Sequence, residues 1–174
     1  MRIIDLVRED LILPELHGRD KAAVLAELAR HLAARVAAPK TLDPEALLKV
    51  LLERERLAST AIGEGVAIPH GKLDPLGAAA LPGTGGQAGQ AGSTGGILAC
   101  FGRSREGVDF ESMDGRPTYL FFVLVAPSGS TGAHLKALAR ISRLFKDPGF
   151  RAKLMLAKDA AEIHRALADE DAKY

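Results

Sequence analysis

Two histidines stand where an imidazole can do chemistry, and His70 is the first of them. It follows a short apolar segment that ends at Pro69, and Gly71 comes directly after it. Proline cannot donate to a sheet ladder, so the segment should end there, while glycine permits a sharp turn or a close approach. Imidazole has an ordinary pKa of about 6.5 and offers a neutral nucleophilic nitrogen near pH 7. His70 is therefore a candidate nucleophile at a strand end, with a surface histidine in a turn as the alternative.

His134 is the second candidate, in the expected first turn of a helix that begins at Ser130 or Thr131. The first N–H groups of a helix lack intrahelical partners, and the helix dipole adds positive potential there, so an anion is favoured. The preceding residues, 127–132, are rich in glycine and hydroxyl groups. This pattern favours oxyanion binding beside His134, with an exposed residue at an ordinary helix start as the alternative.

Other chemistry has little support. Cys100 lies in an apolar run and is expected in the core; as the chain's one cysteine it excludes an internal disulfide and a cysteine-based zinc cage. The sequence contains no H-E-x-x-H pair, no G-x-S-x-G and no P-loop. We therefore expect no metal site.

Composition narrows the class of protein. The 174 residues suit one domain, and 23 Lys and Arg against 22 Asp and Glu give a formal charge of +1. This balance argues against non-specific nucleic-acid binding, which needs a basic excess. No apolar stretch approaches the ~18 residues of a membrane span, and the charged N-terminus does not fit a signal peptide. A lone cysteine fits a reduced compartment, so a cytoplasmic location is expected.

Helical patterns flank a strand-rich middle, which predicts a single three-layer α/β/α domain over residues 1–174. These patterns do not determine strand direction or order; the expected fold has a central mixed β-sheet. Residues 77–96 hold eight glycines and no charge, so we expect a flexible insertion there. The third helix is expected to bury Leu135, and the fourth Leu156. Helices are predicted at 21–36, 44–56, from 130 or 131, from Asp147 and from Asp159, and strands at 61–62, 66–68, 97–101 and 119–125.

Residues 54–72, RERLASTAIGEGVAIPHGK, resemble the active-site signature of the fructose/mannitol-type enzyme IIA domains of the bacterial phosphoenolpyruvate phosphotransferase system. Residues 107–110 with 114–117 are similar to the middle segment of that family, and residues 133–135 to its second-histidine segment. The resemblance extends over nearly the whole chain and is nearest to the stand-alone nitrogen-regulatory type. The insertion at 77–96 is a departure, because the family usually has a short connection there.

The resemblance implies a role for several residues. His70 would be the phosphorylated residue. It would receive the phosphoryl group from the small histidine phosphocarrier HPr or from its nitrogen-branch counterpart. His134 would help to bind the phosphoryl group, and Arg54 matches the active-site arginine of the family. Ser59 and Thr60 are weaker candidates for phosphoryl-binding support. No cofactor, nucleotide or metal is implied.

Four functions remain open at this stage. The preferred one is a cytoplasmic phosphoryl carrier, a phosphotransferase component that reports its phosphorylation state to regulatory targets. A sugar-transport enzyme IIA that passes phosphate to a separate IIB chain uses the same chemistry. A binding-only regulatory module is an alternative of another class, against which the presence of His70, His134 and Arg54 argues. A metal-dependent hydrolase built on the two histidines is the remotest.

Overall fold

A computed structural model describes residues 1–35, 42–73 and 96–174. The glycine-rich insertion predicted at 77–96 lies outside the described residues except for Gly96. The helices are α1 (Lys21–Ala33), α2 (Pro44–Leu57), α3 (Thr131–Leu144), α4 (Pro148–Leu156) and α5 (Ala160–Asp171). The strands are β1 (Ile12–Leu13), β2 (Ala61–Gly63), β3 (Val66–Ala67), β4 (His70–Lys72), β5 (Leu98–Val108) and β6 (Thr118–Ala126).

The strands form one mixed sheet in the order β1-β5-β6-β3-β2, and β4 also pairs with β6. β1 runs parallel to β5, and both β3 and β4 run parallel to β6. The β5–β6 and β2–β3 pairs are antiparallel. The predicted mixed sheet is confirmed.

Helices cover both faces of this sheet. Cys100 of β5 lies against α1, with its Sγ 3.8 Å from the carbonyl oxygen of Leu28. Its neighbour Phe101 points to the other face, because successive side chains of a strand alternate. There its ring stacks on Phe145, at the end of α3, which also contacts Phe150 of α4. The predicted three-layer α/β/α arrangement is thus confirmed, and Cys100 is a core residue as expected.

Aspartates begin four of the five helices. The side chains of Asp20, Asp43, Asp147 and Asp159 each accept a hydrogen bond from a backbone N–H in the first turn. Such caps satisfy amide groups that have no partner inside the helix, and each contributes about 1 kcal/mol. These starts agree with the positions that the sequence predicts.

Three details of the helices differ from expectation. α1 ends at Ala33, short of the predicted residue 36. Leu135 is 61% exposed, because the buried stripe of α3 is occupied by His134, Ala137, Ile141 and Leu144. Leu156 is 80% exposed, since it lies two residues beyond the buried Leu154 and therefore on the opposite face of α4.

β5 is also longer than the predicted residues 97–101, because it continues through a charged segment. Arg103 in this segment is fully buried. Its guanidinium donates to the carbonyl oxygens of Pro14, Leu154 and Ala157, at 3.0, 2.7 and 2.6 Å. The arginine thereby satisfies carbonyl groups at the end of α4, which explains why a charge occurs inside a buried strand.

The two ends of the described chain meet at one carboxylate. Asp171, in α5, accepts from the backbone amide of Ile4 at 3.0 Å and from Nε of Arg140 at 2.7 Å. The Asp171 side chain is 1% exposed. This carboxylate therefore ties the N-terminal turn and α3 to α5. Of the helices described, none is both long and apolar enough to cross a membrane.

Gly71 lets α2 pack directly on β4. A Cβ added at this position would lie 2.5 Å from Cγ1 of Val50, which is far inside van der Waals contact. Since Gly71 faces α2, its neighbours on β4 face the opposite side of the sheet, toward α3.

We predict that Gly71→Ala lowers the free energy of unfolding by about 1–3 kcal/mol, because the added methyl group must displace Val50. Chemical denaturation measures the change. Gly71→Ala combined with Val50→Ala should recover much of the loss. Gly129→Ala is the control, because a Cβ there meets nothing within 4 Å. Unchanged stability in Gly71→Ala would contradict the close packing.

Candidate functional site

His70 is the first residue of β4 and pairs with Leu124, near the carboxyl end of β6. The sequence suggests a strand end at Pro69, and the structure places a second short strand immediately beyond it. Nδ1 of His70 lies 2.7 Å from the carbonyl oxygen of Ile68. A carbonyl oxygen can only accept, so Nδ1 carries the hydrogen in this contact and Nε2 keeps its lone pair. This is the state that a nucleophilic histidine requires.

His134 lies in the first turn of α3 and faces His70. The two ring centroids are 5.5 Å apart, and the rings are perpendicular. His134 is only 5% exposed, and its Nε2 is buried with no hydrogen-bond partner among the described residues. A buried polar atom without a partner costs free energy, so Nε2 of His134 has a hydrogen-bonding capacity that the described residues leave unused.

Burial keeps both imidazoles neutral. It lowers the pKa of His70, and the nearby Arg54 lowers that pKa further, while the hydrogen bond to Ile68 opposes the shift. Burial also lowers the pKa of His134, and the neighbouring His70 and Lys72 add to the effect. Near neutral pH the pair therefore provides one unprotonated nucleophilic nitrogen and a second neutral ring beside it.

Arg54 lies in the last turn of α2. Its Nη1 donates to the carbonyl oxygen of Ala58 at 2.8 Å, which closes the end of that helix. The charge of Arg54 contributes to the lowered pKa of His70, so the guanidinium lies within electrostatic reach of that ring.

Ser59 and Thr60 form hydrogen bonds within the protein. The Ser59 hydroxyl donates to the carbonyl oxygen of Phe110, and the Thr60 hydroxyl donates to the buried carboxylate of Glu55. Glu55 also accepts from the Thr60 amide and pairs with Lys21 at 3.0 Å. These contacts hold the segment after α2 against the core, so both hydroxyls position the segment next to Arg54.

The sequence reasoning assigned no role to Lys72, which the structure brings to the site. Its Nζ donates to Oγ1 of Thr131 at 3.0 Å, across the gap between β4 and α3. The sequence contained a signal for Lys72: it lies two residues after His70, and residues two apart on a strand share a face. Using that signal required knowing that His70 begins a strand.

Metal-binding geometry is absent from the described part of the chain. Within residues 1–35, 42–73 and 96–174, no three His, Cys, Asp or Glu side chains are arranged to hold a metal ion.

Comparison with known proteins identifies the family of the chain. The family model described as phosphoenolpyruvate-dependent sugar phosphotransferase system, EIIA 2, matches residues 5–170. The chain belongs to this family. The resemblance drawn from residues 54–72 is thereby confirmed, and this enzyme IIA is a phosphotransferase-system component.

Curated relatives include both regulatory and sugar-specific proteins. A nitrogen regulatory protein of Bradyrhizobium diazoefficiens is 42% identical over 168 residues, covering 97% of this chain and 95% of that protein. A fructose-specific EIIABC component of Bacillus subtilis is 34% identical over 163 residues, which cover 94% of this chain and 22% of that protein. The enzyme IIA described here is thus a homologue of the nitrogen regulatory proteins.

Solved structures share the fold. The nitrogen regulatory protein IIA-Ntr from Neisseria meningitidis matches with a TM-score of 0.75 and 28% identity, covering 95% of this chain and 98% of that chain. The mannitol IIA of Escherichia coli matches with a TM-score of 0.66 and 19% identity, covering 91% of this chain and 96% of that chain. The second likeness concerns the fold alone.

We predict that His70 and His134 titrate with midpoints below the ~6.5 of a free imidazole, because burial disfavours their charged forms. NMR titration of the ring nitrogens measures this, with the urea-unfolded chain as the reference. His70 should also show the Nδ1–H tautomer. Because the unfolded state then binds more protons, these groups lower the stability as pH falls below about 6.5. A midpoint above the unfolded value would contradict the assignment.

Proposed function

We propose that this enzyme IIA accepts a phosphoryl group on Nε2 of His70 from an HPr-like histidine phosphocarrier and acts mainly in regulation. The observation that carries the proposal is the contact between Nδ1 of His70 and the Ile68 carbonyl oxygen, which leaves Nε2 unprotonated. The neighbouring His134 supports it, since its buried Nε2 has no partner among the described residues.

The step needs no separate base. The lone pair of Nε2 attacks the phosphorus of the donor phosphohistidine, a P–N bond forms to His70, and the P–N bond of the donor breaks. The electron pair of the broken bond returns to the donor nitrogen. Phosphoryl transfer of this kind depends on positioning and on charge stabilisation rather than on proton transfer. The product is phosphohistidine, whose labile P–N bond lets the group move to another nucleophile.

Charge around His70 favours the phosphorylated product. A phosphoryl group adds roughly two negative charges near pH 7. Arg54 is close enough to affect the pKa of His70, and the ring of His134 can donate from a nitrogen that is already desolvated. The acidic Glu55 is paired with Lys21, which limits its repulsion of the incoming group.

A regulatory output is favoured over sugar transport by the similarity to the nitrogen regulatory protein of Bradyrhizobium diazoefficiens, at 42% identity over 95% of that protein. The fructose-specific relative, at 34% identity, keeps a second candidate open: an enzyme IIA that passes phosphate to a separate IIB chain. Incubating the phosphorylated chain with purified IIB proteins separates the two, since only the transport function predicts rapid loss of phosphate to IIB.

We predict that His70→Ala abolishes acid-labile phosphorylation driven by phosphoenolpyruvate, enzyme I and the carrier, because it removes the only atom that forms the P–N bond in this proposal. Incorporation of labelled phosphate measures the effect. His164→Ala, in α5, is the matched control and should be labelled like the wild type. Labelling of His70→Ala at the wild-type rate would disprove the assignment.

His134→Ala and Arg54→Ala should each slow transfer by roughly 100-fold, which is typical for the loss of one preorganised donor. Single-turnover transfer from the phosphorylated carrier measures the rate, and denaturation curves establish whether each variant remains folded. Wild-type kinetics in both folded variants would remove these residues from the site.

A further inference from the structure

Two side chains of β4 face two side chains of α3. His70 and Lys72 are two residues apart on a strand, so they share the face opposite Gly71, which lies against α2. Thr131 and His134 are three residues apart on a helix, so they too share a face. His70 lies against His134, and Lys72 against Thr131. The second pair thus adjoins the site of phosphoryl transfer.

The ammonium of Lys72 lies near His134 and is able to move. Its charge contributes to the pKa of His134, which places it within electrostatic reach of that ring. Its bond to the Thr131 hydroxyl is exposed and 3.0 Å long. A lysine side chain is flexible and carries three donors, so it can exchange an exposed neutral acceptor for a charged one.

We propose that Lys72 is a phosphoryl-binding residue: once the group is on His70, the Lys72 ammonium leaves the Thr131 hydroxyl and donates to a phosphoryl oxygen. This inference rests on the proposed function. Together with Arg54, Lys72 brings two positive charges to a group that adds roughly two negative ones. The ammonium gains the attraction of an oppositely charged acceptor, which the neutral Thr131 hydroxyl does not offer, so the exchange is favourable. Lys72 therefore stabilises the phosphorylated form of the chain.

The equilibrium of reversible transfer tests this role. Wild type, Lys72→Met, Lys72→Arg and the control Lys153→Met are each mixed with the phosphorylated carrier, and the phosphorylated fraction is measured at equilibrium. Lys153 is exposed in α4, so its loss matches the change in net charge. Lys72→Met should lower the equilibrium constant roughly 10- to 100-fold, the loss of one charge-assisted hydrogen bond. Lys72→Arg should restore most of it, and Lys153→Met should have no effect.

Two further measurements exclude a merely structural role for Lys72. Thr131→Val removes the hydrogen bond between Lys72 and Thr131 but keeps the ammonium. It should therefore lower the equilibrium constant much less than Lys72→Met does. In ¹H–¹⁵N spectra, the ammonium signal of Lys72 should shift when wild type is phosphorylated, while that of Lys153 should not.

If the wild type takes up phosphate and the equilibrium constant for Lys72→Met lies within twofold of the wild-type value, the Lys72 assignment is overturned. The proposed function is then unaffected. Equal losses in Lys72→Met and Thr131→Val would also overturn the Lys72 assignment, in favour of a structural link. A wild-type chain that takes up no phosphate would instead remove the proposed function, and the Lys72 assignment with it.

Discussion

The parallel pairing of β4 with the carboxyl end of β6 determines where the residues of the site lie. β6 leads into α3 through a single turn, so a strand beside its last residues necessarily lies next to the first turn of that helix. The His70–Leu124 register therefore places the imidazole against His134, although 63 residues separate the two histidines in the chain. Sites at the carboxyl ends of sheet strands are common in α/β proteins for the same geometric reason.

Burial of this pair has a cost and a chemical use. The desolvated rings lose hydration that the described residues do not fully replace, as the unpartnered Nε2 of His134 shows. The same desolvation lowers the pKa of both imidazoles and keeps them neutral. Glu55, Thr60 and Lys21 offset part of the cost with a satisfied buried network next to the site. Rigid surroundings thus maintain a reactive arrangement.

The sequence predicts elements well where the physics is local. Proline and aspartate at the helix starts and the apolar run of β6 act through neighbouring residues, and these elements appear where they were expected. The exposure of Leu156 was missed although it follows from the local helix repeat, but other features depend on long-range contacts. The burial of Arg103 depends on carbonyl groups of α4, some 50 residues away, and the position of the Lys72 ammonium depends on Thr131. A long motif was enough to single out His70 as a candidate nucleophile. Its contact with His134 could be predicted only from the register of the sheet.

The contact at the Asp171 carboxylate also suggests that the elements of this fold could be connected in a different order along the chain. Because the backbone amide of Ile4 donates to the side chain of Asp171, the two ends of the chain lie close together. A short linker would therefore join them without crossing the sheet. New termini opened within residues 77–96 would then give a circular permutant in which α3 to α5 precede β1. Both histidines would then lie at reversed positions along the chain, yet on the same two facing elements.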